Sequence, residues 1–217
     1  MRAAVPTVVA MRIGIIGTGR LGSALGARFL DHGHEVLFGD RSPRPDVSTA
    51  LGAVTRTNAE AAAFGDVVVL AVPFVAIESA LAQAGDLRGK VLWSCVNAVT
   101  PDLSGLAVGF DTSAAEEVAR RAIGARVVAA IPPFAEALLS GNRGYDGDLE
   151  PSVFLCGDDL DAKRRLEPLL ATLDVQPVDA GALRAARLVE PAMMLLVKLA
   201  YAGTPRDLGL RLLERTM

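Results

Sequence analysis

The stretch IGIIGTGRLGSALGARFLDHGHEVLFGDR, residues 13–41, decides the fold. An apolar strand-like run leads into Gly17-Thr18-Gly19-Arg20-Leu21-Gly22. A helical pattern then covers about 20–31, and a second apolar run ends at Asp40-Arg41. Three glycines at this spacing between strand and helix have separate jobs. The first permits the tight turn, the second lets the backbone approach a pyrophosphate, and the third allows helix and strand to pack closely. The helix that starts there aims free N–H groups at the phosphates. Residues 13–41 are therefore expected to form a dinucleotide-binding unit.

Asp40 and Arg41 point to different dinucleotides. A carboxylate at the end of the second strand, about 20 residues past the glycines, suits a ribose 2′-hydroxyl and hence NAD. The guanidinium groups of Arg41 and Arg44 suit a 2′-phosphate and hence NADP. Thr18 is expected to add a hydroxyl on the phosphate side. The residues alone leave the choice open.

Outward from this unit, strand-like and helix-like segments alternate: AVT (53–55), DVVVLAV (66–72), a helix at VAIESALAQA, KVLWSCV (90–96), a helix at about 113–123 and ARVVAA (125–130). Such alternation predicts an α/β fold, Rossmann-like and doubly wound, with a mainly parallel sheet and carboxyl-terminal helices. After Pro132-Pro133 the pattern loosens into a polar, glycine-rich loop at 140–151, expected to be mobile. SVFLCG (152–157) follows as a strand, then a helix at about 160–172 capped by Asp158 or Asp159, an extended VQPV, and a mainly helical 183–213 broken near Gly203. The expected organisation is a loose extension at 1–10, a nucleotide-binding domain at 11–131, and a region at 132–217 that packs on the core and supplies a dimer contact.

The nicotinamide is expected across the carboxyl ends of the strands. Ala71, Val72 and Pro73 fall beside the ring, and Asn97 either bonds its carboxamide or serves as a turn residue. No catalytic triad, carboxylate pair or basic lysine stands out, although Lys198 falls near a plausible site. That absence fits direct hydride transfer, in which orientation does most of the work. Cys95 and Cys156 read as buried thiols of a reducing compartment, and His32 and His34 as caps of the first helix. A net charge of −3 points away from nucleic acid, and no segment is long and apolar enough to span a bilayer. A cytoplasmic enzyme, paired as a homodimer through MMLLVKLAY, is the expectation.

The pieces RIGIIGTGRLG, GHEVLFGDR, VVVLAVPF, TSAAEEVA, RVVAAIPP, VFLCGDD and VDAGALRAARLVEPAMMLLVKLAY, with LGLRLL, resemble the NADPH:F420 oxidoreductase family over almost all of the chain after Met11. The resemblance implies hydride transfer between NADPH and the deazaflavin F420. It implies phosphate contacts at Thr18, Gly19, Arg20 and Leu21, and a 2′-phosphate at the turn of Asp40 and Arg41. Family members usually carry Ser-Arg at that turn, so Arg41 matches and Asp40 departs. They often carry a polar residue where Ala76 stands and a His-Thr pair before the IPP segment. Both departures lie where the deazaflavin is expected to stack, and imply a more apolar acceptor pocket or one shaped for another acceptor such as a flavin. NADP is the expected cofactor, ahead of NAD. Reduction of a small imine or carbonyl, with Tyr145 as proton donor, is the second expectation. A non-catalytic NADP-binding sensor is the third.

Overall fold

A computed structural model describes residues 10–42, 54–140, 145, 149–203 and 207–215. Its centre is an eight-stranded sheet in the order β3-β2-β1-β4-β5-β6-β7-β8. The strands are β1 (Arg12–Ile16), β2 (Glu35–Asp40), β3 (Val54–Thr57), β4 (Val67–Leu70), β5 (Val91–Ser94), β6 (Arg126–Ala129), β7 (Ser152–Gly157) and β8 (Gln176–Gly181). All neighbouring pairs are parallel except β6 and β7. The order reverses between β1 and β4, the switch point at which open α/β sheets bind ligands.

Strand residues alternate between two apolar layers, as a sheet covered on both faces requires. Ile13, Ile15, Val67, Val69 and Trp93 pack on one side with Leu25 and Phe29 of α1 (Arg20–Asp31). Leu166 and Leu169 of α6 (Leu160–Ala171) join the same layer. Ile16, Val68, Leu70 and Leu92 pack on the other side. They meet Ile77 and Leu81 of α3 (Ile77–Ala84) and Val118 of α4 (Ala114–Arg121).

The helices start where side chains satisfy their free N–H groups. Thr57 and Glu60 form a reciprocal capping box on α2 (Asn58–Phe64). Ser113 caps α4, and Asp159, one of the two expected candidates, caps α6 by accepting the Ala162 N–H at 2.9 Å. His32 ends α1 through its backbone N–H. His34 instead lies buried, its Nδ1 accepting the Met11 N–H at 3.2 Å, and burial lowers its pKa.

Besides α2, to which the sequence reading assigns no helix, three segments differ from that reading. The third strand runs over 54–57, and the segment before it is among the residues outside the description. A short helix, α5 (Ala135–Ser140), follows the proline pair. The helix α7 (Ala186–Ala200) ends before Gly203, and residues 207–215 are irregular rather than helical. Gly203 has φ +95°, which a continuing helix does not tolerate, and hydrogen bonds to Ser152 capture the backbone beyond it. Residues 1–9 of the extension expected at 1–10, and most of the loop at 140–151, lie outside the described residues.

Candidate active site

The turn between β1 and α1 is fixed by two glycines. Gly17 has φ +114°, and a Cβ on it would stand 2.3 Å from the Ala71 carbonyl oxygen. A Cβ on Gly22 would stand 2.0 Å from the Gly17 carbonyl oxygen. Gly19 is the opposite case. Its φ of −72° is open to any residue, and a Cβ there would meet nothing within 4 Å. Gly19 is also the N-cap of α1; among the described residues no side chain caps that helix, and its first turn carries no acid. Open space in front of free N–H groups is what a pyrophosphate requires.

At the end of β2, Asp40 is turned toward this loop. The Thr18 hydroxyl donates to its Oδ2 at 2.6 Å, and the Ser42 N–H donates to its Oδ1 at 2.9 Å. Arg41 beside it is exposed. Arg44 lies outside the described residues.

A cleft of about 290 Å³ opens at the carboxyl edge of the sheet. Arg20 and Leu21 of α1 line it, as does Asn97, which follows β5. The Asn97 Oδ1 is buried without a hydrogen-bond partner, an unsatisfied acceptor of the kind a carboxamide would fill. Ala71 and Val72 border the Gly17 turn, and Pro73 is exposed at the head of a short 3₁₀ turn. None of these three lines the cleft.

Much of the wall was not singled out from sequence. Ile131, Pro132, Pro133 and Phe134 continue β6 into it, and Met193, Val197 and Tyr201 reach it from α7 and its end. Trp93 Nε1 donates to the Ala130 carbonyl at 2.7 Å, which fixes the chain just before the prolines. Phe134 and Tyr201 meet edge to face at 6.4 Å. The available signals were the IPP segment at a strand end and the i, i+4, i+8 spacing of Met193, Val197 and Tyr201. Among the described residues no carboxylate, histidine or lysine lines this cleft. Cys95 does, with its thiol pKa pushed well up by burial. Lys198 is exposed and is not part of the wall, and Tyr145 lies behind the segment around Gly209.

Two contacts hold α7 over the sheet. Arg187 makes a paired bridge to Glu116 of α4 at 2.9 and 2.7 Å. Glu190 is 1% exposed, and its carboxylate accepts the Ala114 and Ala115 N–H groups at 2.8 and 3.0 Å. A side chain of α7 thus caps α4. Burial pushes the Glu190 pKa up to about 7 from 4.5 against the pull of those two bonds. The folded state therefore keeps this proton where the unfolded chain has lost it. Glu190 should make stability fall as pH rises from about 4.5 to about 7. Melting curves of wild type and Glu190→Gln across that window check this. The wild-type Tm should fall more steeply, and parallel curves would contradict it.

Three comparisons accompany this geometry. The family model described as "NADP oxidoreductase coenzyme F420-dependent" matches residues 12–98. The F420-dependent NADP reductase of Methanothermobacter thermautotrophicus is 34% identical, over 94% of this chain and 96% of that protein. The rat metalloreductase STEAP3 is 30% identical over 93% of this chain, but only 40% of that protein is covered. A crystal structure from Arthrobacter sp. FB24, provisionally described as an F420-dependent NADP reductase, matches with a TM-score of 0.83 at 26% identity. It covers 94% of this chain and 100% of that one. The identity to the archaeal enzyme, sustained over nearly the whole of both chains, places this protein in the F420-dependent NADP reductase family.

Proposed function

We propose that the chain transfers hydride between NADPH and the deazaflavin coenzyme F420. The observation that carries this is the chemistry of the cleft, which starts at an uncapped helix end and, among the described residues, has no carboxylate, histidine or lysine in its wall. NADPH, when bound, supplies the hydride, and the protein's task is to hold two flat rings face to face without water. In this reading the N–H groups of Arg20, Leu21 and Gly22 take the pyrophosphate. Asn97 Oδ1 takes the carboxamide, with Ala71, Val72 and Pro73 beside the ring. Arg41 takes the 2′-phosphate, while Asp40 braces the loop through Thr18. Ile131, Pro132, Met193 and Val197 exclude water. The relatives named above support the same reaction. Anaerobic mixing with NADPH and oxidised F420 tests it, and loss of the deazaflavin absorbance is the expected result.

The division of labour follows the chain. Residues 11–131 hold the nucleotide, and 132–217 supply the rest of the acceptor wall and a self-association face. That face is the outer stripe of α7, where Leu188, Leu195 and Leu199 are 72%, 60% and 44% exposed at helical spacing. A second copy of the chain covers it in this reading. Sedimentation should give a dimer, and Leu195→Glu a monomer; a monomeric wild type would contradict the assignment. Among the described residues no helix is long and apolar enough to cross a membrane. A cytoplasmic enzyme without a nucleic-acid partner is part of the same reading, supported by the two free, buried cysteines and the net charge of −3.

A further inference from the structure

Residues 207–215 lie as a strap across the start of β7. Ser152, itself buried, holds the strap at two points. Its N–H donates to the Leu210 carbonyl at 2.6 Å, and its Oγ accepts the Leu212 N–H at 3.0 Å. The same hydroxyl donates to Gln176 Oε1 at 3.1 Å, which ties the strap to β8 as well. The Arg211 guanidinium donates to the Glu150 carbonyl at 2.6 Å. Between these contacts Gly209 lies so close that a Cβ would be 2.9 Å from the Pro151 side chain and 3.3 Å from the Tyr145 ring. Hydrogen bonds on one side and the missing side chain at Gly209 on the other fix the register of the strap.

Topology explains why the strap meets the cleft. β7 runs antiparallel to β6, with Ala129 opposite Cys156, so the residues before Cys156 continue past the carboxyl end of β6. Ser152 therefore stands at the same edge as the prolines that follow β6. Leu208, Gly209 and Leu210 line the cleft together with Met193, Val197 and Tyr201. β7 is four strand steps from β1, about 19 Å at the usual spacing, so the strap closes the cleft from the β7 side while Arg20 and Leu21 of α1 line it from the β1 side.

We propose that residues 208–212 are the acceptor-specificity element of the enzyme. They set the width of the slot beside α7 so that it takes a flat, fused-ring acceptor with apolar faces, and they leave the dinucleotide end untouched. The proposal rests on the hydride-transfer reading above. It assigns Leu208 to the wall, Gly209 to the seat of the strap, and Ser152 to its register.

The test uses Leu208→Ala, Gly209→Val and Ser152→Ala in the full chain. NADPH binding is read from nicotinamide fluorescence, F420 binding from deazaflavin fluorescence, and turnover from absorbance. Leu208→Ala and Gly209→Val should each raise the F420 Kd and KM by about tenfold, and Ser152→Ala by about threefold. The NADPH Kd should stay within about twofold of wild type. Should Gly209→Val fail to fold, the other two variants decide. If wild type reduces F420 and the variants bind F420 as tightly, the strap proposal falls while the hydride-transfer reading stands. Parallel weakening of NADPH and F420 would also overturn it, by showing a general loss of structure. A wild type that neither binds nor reduces F420 would overturn both.

Discussion

Gly19→Ala should fold normally and lose NADPH affinity by about 100-fold, or roughly 2.7 kcal/mol. The two halves of this expectation have separate causes. The backbone of Gly19 is in an ordinary conformation, and the added methyl would meet no protein atom within 4 Å. Alanine is a poorer N-cap than glycine by less than about 1 kcal/mol, so Tm should drop by no more than about 4 °C. The space the methyl fills is the space in front of the free N–H groups of α1, where a pyrophosphate must touch backbone. Gly22→Ala is the control. Its methyl would be 2.0 Å from the Gly17 carbonyl oxygen, an obstacle of backbone that cannot turn aside. That variant should lose about 10 °C in Tm along with binding. Thermal melts and fluorescence titration separate the two. Gly19→Ala with unchanged affinity would mean that the nucleotide is not held at this turn.

Arg41→Ala should cut the preference for NADPH over NADH, read as the ratio of kcat/KM values, by about 10- to 100-fold. Charge-assisted bonds from a guanidinium to a phosphate are worth about 1.5–3 kcal/mol, and NADH has no phosphate to receive them. Asp40 opposes this assignment only through its charge, since both of its oxygens already accept bonds, from the Thr18 hydroxyl and the Ser42 N–H. Its carboxylate shapes the loop, yet its charge still repels a neighbouring phosphate. Asp40→Ser keeps a hydrogen-bond acceptor at that place and removes the charge, so it should tighten NADPH several-fold and leave NADH little changed. An unchanged ratio in Arg41→Ala, with a loss of NADH use in Asp40→Ser, would reverse the cofactor assignment.

Local sequence specifies much of the nucleotide half of the molecule. The glycine spacing, the apolar runs of β1 and β4 and the span of α1 depend on neighbours a few residues apart, so they are legible without a fold. The Asp159 cap is of the same kind. The short helices were harder. Thr57 caps α2 with Glu60 in capping-box position, a signal present in the chain, whereas six residues of α5 carry too little periodicity to be read. The strap falls in the stretch to residue 213 whose pattern predicts mainly helix. Its partner, Ser152, is remote in sequence, and its hydrogen bonds outweigh that propensity. Glu190 was invisible for the same reason. A charge inside an apolar helical run gives no sign that it will meet two N–H groups of another helix. The acceptor wall depends on α7 lying over the prolines after β6, and no local pattern states that.

The central claim is that hydride passes from NADPH to a deazaflavin in the cleft between α1, the Pro132-Pro133 segment and α7. Mixing the purified protein with oxidised F420 and either NADPH or NADH, in the absence of oxygen, tests it most directly. Rapid loss of deazaflavin absorbance with NADPH, and much slower loss with NADH, is the result expected. An unchanged F420 spectrum in the presence of bound NADPH would contradict the account, and reduction of FMN under the same conditions would reassign the cleft to a flavin acceptor.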